Sequence, residues 1–432
     1  MPKVSRKYQT YLRILQEELQ SASGCTEPGA LAFAAAKARS LLQAIPDSIH
    51  LTVSGNVMKN AKSVLVPNTG GLKGMRAAVA AGVLFGNHEQ ELEVIAQMPE
   101  DAKLAIETYL KNHRVTVDVS PSPYVLDIDV TLEKESRKAR VRIINHHTNI
   151  VFVSVDDQIL LAKDYVADQA VDDDLKQSLT VEDIVDFADH VDIATIQSLL
   201  DRQITNNMAI AEEGLAKDYG ANVGSVLLKT YGSHVANRAK AYAAAASDAR
   251  MSGSKLPVTI VAGSGNQGLT TSIPIIIYAR HHNVEQERLY RALVVGNLVS
   301  IHQKRDIGSL SAYCGVVFAG AGAGAGITYL LGGDYNAIAH TIVNALAILS
   351  GMICDGAKPS CAAKIAMAVE AGVLGHHMYE NGQEFLGGDG IIAKGIEATL
   401  ANVTRLAREG MRITDEEIMR IMHDTTLTQE DC

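Results

Sequence analysis

Three cysteines of this chain, Cys314, Cys354 and Cys361, form an unusual set, with 39 residues between the first two and six between the second pair. Thiolates grouped in threes can hold a metal centre while leaving one coordination position open for a bound molecule. Structural zinc sites use closed four-ligand sets built from short spacings such as C-x2-C. The chain has no CxxC, no HExxH and no matching His pair. An iron–sulfur cluster acting on a substrate suits the pattern. So do three buried, inert thiols, because free cysteine is among the most buried residue types. Pro359 interrupts the segment CDGAKPSC, which therefore reads as a loop feeding a helix that begins near Ser360. Cys361 then falls in the first turn, where the helix dipole favours an anionic group.

Other residues carry chemistry by their position at turns. Cys25 precedes Thr26, Glu27 and Pro28 and so lies just before a helix start. Exposed N–H groups there stabilise a thiolate that can act as proton acceptor or nucleophile; the alternative is a cysteine packed beneath the turn. Glu27 complements the same dipole. GSGNQG (263–268) fits GxGxxG after a short apolar run, but the second strand of a dinucleotide fold is missing and helical pattern continues. A glycine-rich turn into a helix still binds carboxylates through its N–H groups, with Asn266 or Gln267 assisting. Lys304 and Arg305 can face an anion, Arg305 reading equally as a solvated turn. His146 and His147 end a strand, where neighbours point to opposite faces and solvation is the ordinary state. Neither a G-x-S-x-G elbow nor a P-loop is present.

Helical spacing covers residues 5–20 and 28–42, the second with Pro28 in its first turn. A strand is expected over 49–58 and helices near 73–85 and 100–112. Alternating runs at 114–119, 124–132, 139–144 and 150–155 read as an antiparallel meander. Beyond about residue 180 the pattern is helix and glycine-rich loop, apart from a short apolar run at 258–262. The expected fold class is α+β. A large, mainly helical catalytic domain (1–45 and 166–432) would receive an inserted smaller α/β domain (46–165) containing an antiparallel sheet.

The chain has 432 residues, 47% of them hydrophobic and 20% charged, which excludes disorder and allows two or three domains. A net charge of −10 without a basic run argues against nucleic acid as partner. The first twenty residues carry charges throughout and lack the apolar core of a secretory signal. Five cysteines without such a signal fit a reducing cytoplasm better than a disulfide scaffold. Residues 310–331 are long enough for a membrane span and contain GAGAGAG. Glycine contributes little transfer energy, however, and the mean hydropathy is only +0.06, so a buried helix is expected and no membrane partner.

With SGCTEPGALA, GSGNQG, KRDIGSLSAYCG and the Cys354/Cys361 segment in view, the chain resembles the L-cysteine desulfidase group, the UPF0597 proteins. These are related to the α region of iron–sulfur L-serine dehydratases, and the resemblance spans essentially the full length. It implies a [4Fe-4S] cluster held by three cysteines that match Cys314, Cys354 and Cys361, with Cys25 as catalytic base. It also implies β-elimination from an amino acid without pyridoxal phosphate, giving pyruvate, ammonia and, from cysteine, sulfide. Thr26, Glu27, Asn266, Gln267 and Lys304 are the residues expected to bind that small-molecule substrate. Some related dehydratases end in a cysteine that caps the open iron; Cys432 either does this or belongs to a solvated terminus. L-serine is the alternative substrate. A non-enzymatic iron–sulfur redox sensor is the alternative of a different class, though no basic or amphipathic partner surface is evident. A homodimer is left open.

Overall fold

The computed structural model describes residues 6–24, 26–62, 64–156, 158–163, 174–305, 307 and 311–427. Helix α1 (Arg6–Glu18) and the short strand β1 (Ser21–Ser23) lead into α2 (Thr26–Leu42), which is alanine-rich and buried along most of its length. Strand β2 (Ser48–Val53) buries Ile49, Leu51 and Val53 and turns His50 outward, the period of two that a sheet with one covered face requires. The strand expected over 49–58 stops at Val53. Ser54 ends it by capping α3 (Gly55–Ala61), its hydroxyl accepting from the Val57 N–H at 3.4 Å. Helices α4 (Gly74–Phe85) and α5 (Ala102–Asn112) follow, then β3 (Arg114–Val119), β4 (Asp127–Lys134), β5 (Arg137–Ile144), β6 (Ile150–Val155) and β7 (Gln158–Ala162).

The six-stranded sheet has the order β3-β2-β4-β5-β6-β7 and is mixed. The expected meander holds from β4 to β6 and continues into β7, but β3 is not part of it. β3 pairs parallel with β2, on the side away from β4. Helices α3 to α5 make the crossover that a parallel pair needs and a hairpin cannot supply. On the covered face α2 lies against β4, β5 and α4. Its approach to α4 is backbone-close: a Cβ on Gly82 would meet the Ala32 carbonyl oxygen at 2.2 Å. The outer face is held by two forked ion pairs, Arg142 on Asp127 and Arg140 on Asp129. Division of the chain at residues 46 and 165 stays a proposal, with α2, N-terminal to the first cut, packed on the sheet.

The helical body runs from α6 (Asp174–Gln177) through α7 (Val181–His190), α8 (Gln197–Ala216), α9 (Val223–Tyr231) and α10 (Val235–Met251) to strand β8 (Pro257–Thr259). Then come α11 (Gly265–His282), α12 (Gln286–Lys304), α13 (Val316–Leu330), α14 (Tyr335–Leu349), α15 (Cys361–Glu380), α16 (Ile396–Arg405) and α17 (Arg412–Leu427). Every residue of α13 is buried, and α11, α12, α14 and α15 surround it. Its glycines make this crowding feasible. A Cβ on Gly320 would lie 2.2 Å from the Ala368 carbonyl oxygen, and one on Gly324 would lie 2.6 Å from that of Gly372. On the other side Gly322 faces Ser300 and Gly326 faces Ile275. No helix among the described residues is long and apolar enough to cross a membrane. β1 pairs antiparallel with β8, tying the loop before α2 to the loop before α11.

Gly320→Val forces Ala368 and its helix away, and an expected loss of about 3 kcal/mol or more follows from overpacking. Gly351→Ala meets nothing within 4 Å and should change stability by less than about 0.5 kcal/mol. Urea unfolding of the two variants beside the wild type checks this difference.

Candidate active site

Four helices begin at one small cavity of about 100 Å³. Thr26 and Glu27 come from the start of α2, Ser264 and Asn266 from α11, Gly315 and Val316 from α13, and Cys361 from α15. Helix starts carry unpaired N–H groups and the positive end of the dipole, so the cavity favours anions. Cys314 and Cys354 reach it on two extended loops joined by a bridge between Tyr313 and Ile353. Cys314 N–H donates to Met352 O at 3.0 Å and Cys354 N–H to Ala312 O at 2.6 Å. Backbone pairing thus sets the two thiols side by side. The Sγ of Cys361, in the first turn of α15, lies 3.7 Å from Gly356 O.

All three thiols are free. Cys354 is held below the usual thiol range by the Cys314 hydrogen bond and by Lys59 and Lys364, which outweigh its burial. Cys314 is pushed well up by giving that bond and by burial. Burial also raises Cys361. The donor set fits a cluster held by three thiolates: the thiols are unpaired covalently, share one cavity, and have cations and helix starts around them. A second group with metal-ligand chemistry, His376, His377 and Glu380, sits at the opposite end of α15, outside this cavity.

Polar side chains complete the walls. The Glu27 carboxylate accepts from Thr26 Oγ1 at 3.1 Å and from Asn60 Nδ2 at 3.2 Å. Lys304 is buried in the last turn of α12, and burial pulls its ammonium down to about 8 against the opposing pull of Cys354 and Cys314. Arg250 Nη1 donates to Asn266 Oδ1 at 2.9 Å. Three buried atoms of wall residues, Arg250 Nε, Gln267 Oε1 and Tyr313 Oη, have no hydrogen-bond partner among the described residues. Buried polar atoms are ordinarily paired, so their grouping here marks a place built for a polar guest.

Residues 50–420 match the family described as serine dehydratase alpha chain. The chain belongs to that family. It is 53% identical to a UPF0597 protein of Desulfitobacterium hafniense over 425 residues, 98% of each chain. A UPF0597 protein of Lachnoclostridium phytofermentans is 45% identical, over 96% of this chain and 99% of its own. One of Treponema denticola is 44% identical, over 96% and 98%. The resemblance carried by the sequence motifs is therefore borne out, and the coarse class is that of a serine dehydratase-like lyase.

In this family member, every expected site residue that is described lies on the one cavity: Thr26, Glu27, Asn266, Gln267, Lys304, Cys314, Cys354 and Cys361. Cys25 and Cys432 lie outside the described residues. Arg305 is half-buried and does not line this cavity; it donates to the carbonyls of Lys176 and Leu179, both at 3.0 Å. His147 is a correction to the solvated expectation: it is buried, with Nε2 4.0 Å from Glu27 Oε1, whereas His146 is exposed. Both lie in the bend after β5, so strict strand alternation does not govern them. Asn60, Arg250, Tyr313 and Lys364 also line the cavity and were not expected there. The sequence signal for Arg250 and Asn60 was a polar residue at the end of a short or alanine-rich helix, which ordinarily means solvent exposure.

Lys59, beside Asn60 on α3, is fully buried and pairs with Asp415 of α17. Asp415→Asn leaves a buried ammonium without its counter-charge, with an expected loss of about 3 kcal/mol. The double variant Lys59→Met/Asp415→Leu removes both charges and should recover most of it. Equilibrium unfolding of the three proteins measures the difference. Equal stability of wild type and Asp415→Asn would show that the pair bears no load.

Proposed function

We propose that this protein is a cytoplasmic [4Fe-4S]-dependent lyase that eliminates sulfide from L-cysteine, giving pyruvate and ammonia, without pyridoxal phosphate. The observation that carries the reading is the meeting of Cys314 with the Cys354/Cys361 pair, across 39 intervening residues, at one cavity rimmed by helix starts and buried cations. Membership of the serine dehydratase alpha chain family supports the class, and it favours L-serine as the second reading.

When bound by the three thiolates, the cluster supplies a Lewis acid at the β-substituent. The remaining work falls to the chain. The first turns of α2 and α11, with Asn266 and Gln267, orient an anionic substrate by N–H and amide donors. Lys304 places a positive charge beside the thiols, where negative charge builds on the departing β-substituent. Cys25 is assigned as the acceptor of the Cα proton by its SGCTEP motif and its position before α2. Loss of that proton and of the β-substituent leaves an enamine. Its tautomer is an imine, which one water converts to pyruvate and ammonia. Close walls around a small cavity limit side reactions of that intermediate.

The test is anaerobic purification and iron–sulfide reconstitution, with pyruvate and sulfide measured on L-cysteine and L-serine side by side. About four irons per chain and a broad brown absorption are expected. Cys314→Ser should lose the iron and the turnover together. A wild-type protein that takes up no iron, or a Cys314→Ser variant with unchanged turnover, would overturn the mechanism. Cys25→Ala should keep its iron and lose at least about 100-fold in kcat. Full activity in that variant removes the base assignment alone. Faster turnover of L-serine than of L-cysteine would decide for the second reading.

A further inference from the structure

Arg250 and Lys304 are the two wall cations without a carboxylate partner among the described residues; Lys304 lies under the influence of the Cys354 and Cys314 thiols, which leaves Arg250 to be accounted for. It ends the buried side of α10, only 4% exposed. Lys59 faces Asp415 and Lys364 faces Asp355, but no carboxylate among the described residues lies within ion-pair distance of Arg250. Its hydrogen bond to Asn266 is to a neutral amide, and its Nε has no partner. An arginine stays protonated under all ordinary conditions, so a buried guanidinium cannot escape the cost by losing its proton. A charge kept in such a place calls for an anion.

The surroundings fix which part of the cavity that anion occupies. The cations that bear most strongly on the thiols are lysines: Lys59 and Lys364 on Cys354, Lys358 and Lys364 on Cys361. Arg250 instead belongs to the start of α11. Gly265 lies directly on the guanidinium, where a Cβ would come within 2.4 Å of Nε and 2.6 Å of Cζ. The glycine of GSGNQG therefore lets the first turn of α11 and the arginine fork converge on one point. Asn266, whose Oδ1 takes the Nη1 hydrogen, holds the fork in orientation. A planar fork beside helix N–H groups matches a carboxylate in shape and charge. Lysine, a point charge on a flexible stem, does not match it in the same way.

We propose that Arg250, seated on Gly265 and oriented by Asn266, receives the α-carboxylate of the bound amino acid and so makes the site select 2-amino acids over amines. This assignment rests on the reading of the cavity as an amino-acid lyase site, and it adds a residue which that reading did not contain. The carboxylate held at α11 would direct the β-substituent toward the thiol side of the same cavity.

The test uses reconstituted holoenzyme of the wild type, Arg250→Gln and Arg250→Lys, with iron content measured for each. Calorimetry gives the Kd of pyruvate, a carboxylate that cannot undergo elimination, and of cysteamine, which has the thiol and amine of cysteine but no carboxylate. Arg250→Gln should raise the pyruvate Kd and the L-cysteine KM by about 100-fold, with kcat changed much less. Cysteamine binding and iron content should stay at wild-type values, and Arg250→Lys should fall between. Unchanged pyruvate affinity in Arg250→Gln, or equal weakening of pyruvate and cysteamine, overturns the proposal. Should Arg250→Gln fail to fold, Arg250→Lys decides by the same two ligands: selective loss of pyruvate binding of about 10-fold supports the anchor, and no loss overturns it. If wild type binds pyruvate through Arg250 yet eliminates from neither amino acid, the lyase reading falls and the anchor stands. If L-cysteine is turned over with the same KM in Arg250→Gln, the anchor falls and the lyase reading stands.

Discussion

The contact between α13 and α15 is a backbone-to-backbone approach, and the cavity depends on it. Gly320 lies against Ala368 and Gly324 against Gly372. The offset is the same at both contacts, so the two helices run parallel. Followed back to their starts, this register puts Cys314, just before α13, next to Cys361, the first residue of α15. Side chains larger than hydrogen at these glycines would separate the helices and with them the two thiols. Cys354 joins through the Tyr313–Ile353 bridge, whose backbone hydrogen bonds leave little freedom between its loop and that of Cys314. A site of three cysteines is thus set by packing in the core and by two hydrogen bonds at its rim.

The same arrangement makes the electrostatics. Parallel helices present like ends, and α2 and α11 add theirs, so the positive ends of four dipoles meet around one cavity. Lys59, Lys304 and Lys364 reinforce the field from buried or half-buried positions. Such a place is costly in the absence of negative charge. That cost is the physical reason for reading the site as one that holds thiolates together with an anionic substrate. The neighbouring acids are turned to their own partners: Asp355 to Lys358 and Lys364, Asp415 to Lys59. Their charge is spent locally, and the cavity wall itself sets the carboxylate of Glu27 against the cations Arg250, Lys304 and Lys364.

Much of this was legible from one chain because it is written in turns. A cysteine before T-E-P, a glycine-rich turn before a helix, and a cysteine after a proline each announce a helix start, and helix starts supply one part of the cavity wall. Helix extents followed from apolar spacing in the same way, with α4 and α5 beginning within two residues of expectation. The sheet was less legible. Alternation identifies strands but carries no information on which strand lies beside which, so β3 was read into a meander although it pairs with β2 across three helices. His147 shows the same limit, since its burial follows from the position of α2 over the sheet and from nothing in its own neighbourhood.

By itself the sequence determined the chemistry available to this protein: which thiols, amides and amines exist, and that most of them stand at helix starts, because local backbone geometry is encoded in a few adjacent residues. Only the tertiary structure decided that those starts point at one another. Convergence depends on contacts between segments tens to hundreds of residues apart, and single-chain patterns do not record them. Arg250 is the clearest case. On its own helix it is one basic residue in a last turn, where solvent or the helix dipole would account for it. It acquires a ligand-sized task only when α10, α11 and the two cysteine loops close over it, because burial is what turns an ordinary surface charge into one that needs an answer.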